Sequence, residues 1–122
     1  MANEFKSVGA AVTTTDTDAN GDTGTVLYTC PVGGQAVIHA LYLSNIDGVN
    51  SATVNIEIQV GTTTDGADAG TTYYHIGKTL AVPEDSTLEL DKQVNLMAGD
   101  FIKITPSGDK LIEAVAAILE IT

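Results

Sequence analysis

The stretch Ala52-Thr-Val-Asn-Ile-Glu-Ile-Gln-Val60 decides the fold class. Val54, Ile56, Ile58 and Val60 fall on one side of an extended chain and Thr53, Asn55, Glu57 and Gln59 on the other, because successive side chains of a strand point to opposite faces. This spacing predicts a strand with one wet face. Working outward, Val26 to Cys30, Tyr73 to Val82, Ser86 to Leu90 and Phe101 to Thr105 repeat the pattern in shorter form and are rich in Thr, Tyr, Val and Ile. Two segments differ. Ala36 to Leu43 is nonpolar on both faces, which predicts a central strand or one covered on its second side. Leu111 to Ile121 places Leu111, Val115, Ala117, Leu119 and Ile121 on one face and Ile112, Ala114, Ala116 and Ile118 on the other. Its Ala, Leu and Glu would suit a helix. The Ile-Leu-Glu-Ile-Thr ending and the preceding Ser-Gly-Asp turn predict a strand instead.

Turn residues punctuate these runs at Asn20-Gly21, Pro31 to Gly34, Asp47-Gly48, Asp65-Gly66, Pro83, Ala98 to Asp100 and Pro106 to Asp109. The expected fold is all-β, a single antiparallel β-sandwich or jelly roll of about eight strands over residues 15–122. Residues 1–14 are expected to form an N-terminal arm or an edge strand.

Composition narrows the function. Of 122 residues, 43% are hydrophobic and 17% charged, the balance of a folded domain. Sixteen acids face five basic residues, all of them lysine, for a net charge of −11. Nucleic-acid binding is disfavoured, because phosphate neutralisation needs clustered Lys and Arg. Anionic membranes would be repelled, and no apolar run reaches the ~18 residues that cross a bilayer. The opening Met-Ala-Asn-Glu-Phe-Lys lacks the pattern of a secretory signal, so synthesis in a cytoplasm is expected. A single cysteine, Cys30, precludes an intrachain disulfide.

Asp16, Asp18, Asn20 and Asp22, with Gly21 at the sixth position, have the alternating oxygen spacing of a calcium loop. Leu27 stands where the bidentate Glu belongs, so a solvated acidic turn is expected rather than a metal site. His39 and His75 read as structural, and Cys30, beside Pro31, as a small core residue. Thr62 to Gly70 lacks the lysine of a phosphate loop and reads as a hairpin. No cofactor motif or catalytic constellation is present, so an enzyme is not expected. Candidate interface residues are Phe5, Val8 and Val12 on the N-terminal segment, and Tyr42, Tyr73 and Tyr74, which cannot all enter one core. A carbohydrate- or receptor-binding sandwich would have to build its aromatic platform from Tyr28, Tyr42, Tyr73 and Tyr74.

Thr25 to Asn45, Thr53 to Ile58, Leu96-Met-Ala-Gly-Asp100-Phe-Ile-Lys-Ile104 and Ala117 to Thr122 together resemble small virion structural proteins of tailed bacteriophages. The resemblance covers residues 23–122 and rests on strands and turns. It implies a β-sandwich of a group found as decoration or cement proteins on capsids, with relatives elsewhere in the particle such as the tail, neck or head–tail junction, and does not choose among these positions. The implied partners are major capsid protein or other virion proteins, and the compact acidic single domain, without fibre repeats or a coiled coil, makes capsid decoration the expected role. Self-association, as a homotrimer, is expected from the two-sided apolar strand Ala36 to Leu43 and the extra tyrosines. The family brings no catalytic residues.

Overall fold

Alternation of the kind seen at 52–60 closes a core only when two sheets face each other, and two sheets form. The computed structural model describes residues 3–18, 21–60, 72–108 and 111–121, without the side chains of Val60, Thr72 and Tyr73. Among these residues nine strands run β1 Asn3–Ala11, β2 Thr25–Thr29, β3 Gln35–Asn45, β4 Ala52–Val60, β5 Thr72–Val82, β6 Thr87–Leu90, β7 Val94–Leu96, β8 Phe101–Pro106 and β9 Ile112–Ile121. The larger sheet has the order β1-β9-β3-β6, with β7 also on β3, and the smaller has β2-β8-β4-β5. Neighbouring strands pair antiparallel. With the short β7 set aside, this is the connectivity of a jelly roll.

The core lies between the sheets. Ile38, Leu41 and Leu43 of β3 and Ala114, Ala116 and Ile118 of β9 meet Val54 and Ile56 of β4 and Ile102 and Ile104 of β8, all buried. Two of the foreseen turns need a left-handed glycine and have one. Gly34 N donates to Pro31 O across Gly33 (φ 89°), and Asp100 N donates to Met97 O across Gly99 (φ 84°). These turns are laced together, with Cys30 N donating to Asp100 O and Gly99 N to Cys30 O. Asn20, Asp65-Gly66, the Thr62 to Gly70 segment and Asp109 lie outside the described residues.

One open alternative closes, one expectation gains a local cause and one strand is added. Residues 3–11 pair along their whole length with β9, from Asn3 opposite Ile121 to Ala11 opposite Glu113, so the N-terminal segment is an edge strand of its own sheet and not a free arm. The two-sided apolar character of Ala36 to Leu43 has a local cause. The pairing with β9 shifts between Ile38 and Ala40, leaving His39 as an extra residue, and that bulge flips the pleat. Before it Ala36 and Ile38 point inward; after it Leu41, Leu43 and Asn45 do. Strand β7, three residues long, was not foreseen.

Candidate functional site: the open face of the larger sheet

Register places side chains in rows on the outer face of the β1-β9-β3 ribbon. Phe5, Leu119 and Val37 form one row, Ser7, Ala117 and Ala40 the next, and Gly9, Val115 and Tyr42 a third. Phe5 is 78% exposed, Val115 44% and Tyr42 37%. Carboxylates enter only at the margin, where Glu113 lies opposite Ser44 and Glu89 opposite Tyr42. The middle rows carry no charge. A face this apolar on a chain of net charge −11 is the kind of surface that another molecule covers.

His39 sits inside this face because of the bulge. Its ring stacks on Phe5 with centroids 6.2 Å apart and planes 30° apart. Its Nε2 is buried with no hydrogen-bond partner among the described residues. Phe5, Ser7, His39 and Ala117 border a shallow hollow of about 200 Å³ there.

The interface candidates therefore do not form one patch. Phe5 and Tyr42 share the open face. Val8 points to the other face of β1 and packs against the core, and Val12 is 1% exposed within it, leaving no surface to offer. Tyr74 is 57% exposed on β5, opposite Ile58, at the far edge of the smaller sheet. The Tyr73 side chain is outside the described residues.

The smaller sheet's outer face is built differently. Lys103 lies opposite Glu57 on this face of β8, yet its side chain is 3% exposed. The segment before β2 crosses above it. Asp18, 0% exposed at its side chain, takes the Lys103 ammonium on Oδ2 at 2.9 Å and the Asp22 N–H on Oδ1 at 3.0 Å. Asp16 Oδ2 accepts from the Thr25 hydroxyl at 2.9 Å. Asp18 is thus not in the solvated turn expected for it, because an ammonium brought from 85 positions along the chain already satisfies it. Asn20 lies outside the described residues, and among those described no three His, Cys, Asp or Glu are grouped to hold a metal.

A second polar tie joins the two sheets. The Tyr28 hydroxyl, buried on β2, donates to Glu120 Oε2 on β9, and Lys6 Nζ lies 3.2 Å from Glu120 Oε1. The Tyr28 hydrogen bond and then Lys6 hold the Glu120 carboxyl below the usual carboxylate range. Burial, followed by the Glu120 bond, pushes the Tyr28 hydroxyl well above the ordinary phenol value. Tyr28 is therefore structural and not part of an aromatic platform. Burial also raises the Cys30 thiol, with Glu120 and Asp100 adding to the effect, which is the reverse of nucleophile activation.

Residue-by-residue reading missed Lys103 and Glu120 as buried partners, and Val37, Val115 and Leu119 as members of the open face. The signal for the face was present, since Leu111 to Ile121 is apolar on both sides and only one side can enter this core.

Solved viral particles contain a similar domain. A chain of the T13 particle of infectious bursal disease virus matches with a TM-score of 0.56 at 11% identity, over 97% of this chain and 30% of that one. A chain of the Gx strain of the same virus matches with a TM-score of 0.51 at 11% identity, over 98% of this chain and 33% of that one. The likeness is one of fold, and the chain spans about a third of the length of those neighbours. No family profile matches the sequence. No curated protein matches it either.

Proposed function

We propose that this protein is a structural subunit of a virus particle and, within that class, a capsid decoration subunit of a tailed bacteriophage. It is made in the host cytoplasm and carried on the capsid surface, where it bridges neighbouring major capsid proteins. The observation that carries this reading is the apolar middle of the face formed by β1, β9 and β3, with carboxylates only at its margin. The acidic remainder keeps many copies soluble before they dock, and burying the face on the shell supplies the driving force. A subunit bound across two shell proteins stabilises their association by mass action, because it binds the assembled state alone. The jelly-roll connectivity and the fold likeness to viral particle chains support the wider class. The sequence resemblance supports a tailed-phage particle, and the compact acidic single domain, without fibre repeats or a coiled coil, supports repeated placement on a capsid lattice.

A density map of purified particles, with the subunit labelled, tests the proposal. Repeated density at capsid lattice points is expected, and particles stripped of the subunit should release their genome at lower temperature. Label confined to the portal vertex, neck or tail replaces decoration with a head–tail junction or tail role. Label absent from the particle, with specific glycan binding by the free protein, replaces both with a receptor-binding role.

A further inference from the structure

The larger sheet has a gap in the margin that lies away from β1. Strand β6 ends with Leu90 opposite Leu41 and β7 begins with Val94 opposite Ile38, so His39 and Ala40 of β3 have no partner on that side. Residues 91–93 connect the two short strands off the ladder. The smaller sheet is irregular where it faces this gap. On β5, His75 pairs with Glu57 and Gly77 with Ile56, which leaves Ile76 as an extra, unpaired residue that is 39% exposed. Between the two irregularities the sheets part around an apolar cleft of about 190 Å³. Ile38, Leu41 and Ile102, all core residues, close its inner end, and Ile76, Leu90 and Val94 form its sides.

Size and charge together define what fits. An apolar cavity of about 150 Å³ accepts the six carbons of benzene, so this cleft has room for about seven. Left unfilled, its walls lose packing on one side. At the rim stands Lys92, the one charged residue lining the cleft among the described residues; its neighbour Asp91 does not line it. The Lys92 ammonium makes no ion pair among those residues, whereas Lys6 is held by Glu120 and Lys103 by Asp18. The net charge of −11 opposes an anion only at long range, because physiological salt screens exposed charges beyond about 8 Å. A narrow apolar cleft with a single unpaired cation at its mouth complements an alkyl chain that ends in a carboxylate.

We propose that the cleft is a binding site for a medium-chain fatty acid, with the alkyl chain between the sheets and the carboxylate at the Lys92 ammonium. The ligand arrives as a free molecule and not as part of a bilayer, since the charge of the chain keeps it off an anionic membrane surface. Once seated, the alkyl chain supplies the contacts that the walls lack. Occupancy therefore ties β5 to β6 and β7 and stabilises the sandwich by mass action. The site lies between the sheets at the margin opposite β1, so it leaves the outer rows of β1, β9 and β3 available. The inference holds wherever on a particle the subunit is carried, so its test in solution is independent of the map described above.

Methyl-resolved NMR titration of the full chain at physiological salt gives the readout. Butanoate, hexanoate, octanoate and decanoate should each shift the methyls of Ile38, Leu41 and Ile102 saturably. Affinity should rise about fourfold per added methylene, the effect of burying one more CH₂, and level off near octanoate when the cleft is full. Octylamine should bind more weakly than octanoate. Lys92→Gln should weaken octanoate about two- to fivefold, as for an exposed ion pair, without weakening octylamine, and Lys92→Glu should reverse the order of the two. Val94→Phe, which fills the cleft from its own wall, should abolish the shifts while keeping the wild-type circular dichroism spectrum. The wild-type series decides the matter even where that variant fails to fold. No saturable shift with octanoate at millimolar concentration, an affinity indifferent to chain length, or octylamine bound as tightly as octanoate would each overturn the proposal.

Discussion

The outer faces of the two sheets answer the same problem in opposite ways. Each sheet has a second side that the core does not use. On the smaller sheet that side carries a lysine, and Asp18, in the chain ahead of β2, covers it and supplies the counter-charge, with Gly24 packed on the lysine stem. On the larger sheet that side carries Val37, Leu119, Val115 and Tyr42 with no charge among them and no covering segment among the described residues. On the proposed function, the difference marks where this protein ends and its partners begin. A face closed within the chain can hold a buried ion pair, because both partners arrive together on folding. A face closed by another molecule has to stay free of charge, since an unpaired ion buried on docking would cost several kcal/mol.

The contrast breaks first at Asp18. Asp18→Ala leaves the Lys103 ammonium buried without its carboxylate and should lower stability by about 3–5 kcal/mol, read from the urea midpoint. Adding Lys103→Met should restore most of it, and failure to restore would mean that the covering segment, not the pair, carries the energy. Next comes Gly24, which has φ 137° and whose added Cβ would lie 2.6 Å from the Lys103 stem and 2.8 Å from Thr105 Oγ1. Gly24→Ala should cost about 1–3 kcal/mol by lifting the cover.

A smaller effect is confined to acid. Glu120 has its carboxyl depressed in the folded state, by Tyr28 first and Lys6 second. Its contribution is therefore fully present above the unfolded value of about 4.3 and is lost as pH falls through the lower folded value. Unfolding midpoints of the wild type and Tyr28→Phe measured across this range should converge as pH drops below about 4. A constant gap at all pH values would show that the hydrogen bond does not favour the ionised carboxylate.

The smallest effect on stability belongs to the open face. Val115→Thr, at a half-exposed strand position, should change stability by less than about 0.5 kcal/mol while weakening attachment to particles in a pelleting assay. Stability lost without loss of attachment would make the face an internal packing surface.

The strands were legible where one period governed them. Ala52 to Val60 was bounded as observed, since its alternation runs unbroken. Ala36 to Leu43 was read as a central strand and lies between β9 and β6, but its two apolar faces did not reveal the bulge at His39, which changes which parity points inward and which no local residue type announces. Val94 to Leu96 was missed because three residues are too few to show a period. The Asp18–Lys103 pair could not be read at all from spacing, since its partners are joined only by the folded topology. The one hint was a lysine in the position that Phe101 and Thr105 share on the same face of β8.

Strand β9 lies between β1 and β3, pairing Ile121 with Asn3 on one side and with Gln35 on the other. During synthesis the larger sheet therefore lacks its middle until residues 112–121 leave the ribosome, and β1 has nothing to pair with before then. Folding has to wait for the whole jelly roll to be made, and pairings this distant in sequence place it among domains that fold in about milliseconds to seconds rather than microseconds. Over that interval the apolar strands of nascent chains are exposed, and the mutual repulsion of chains each carrying −11 opposes their association.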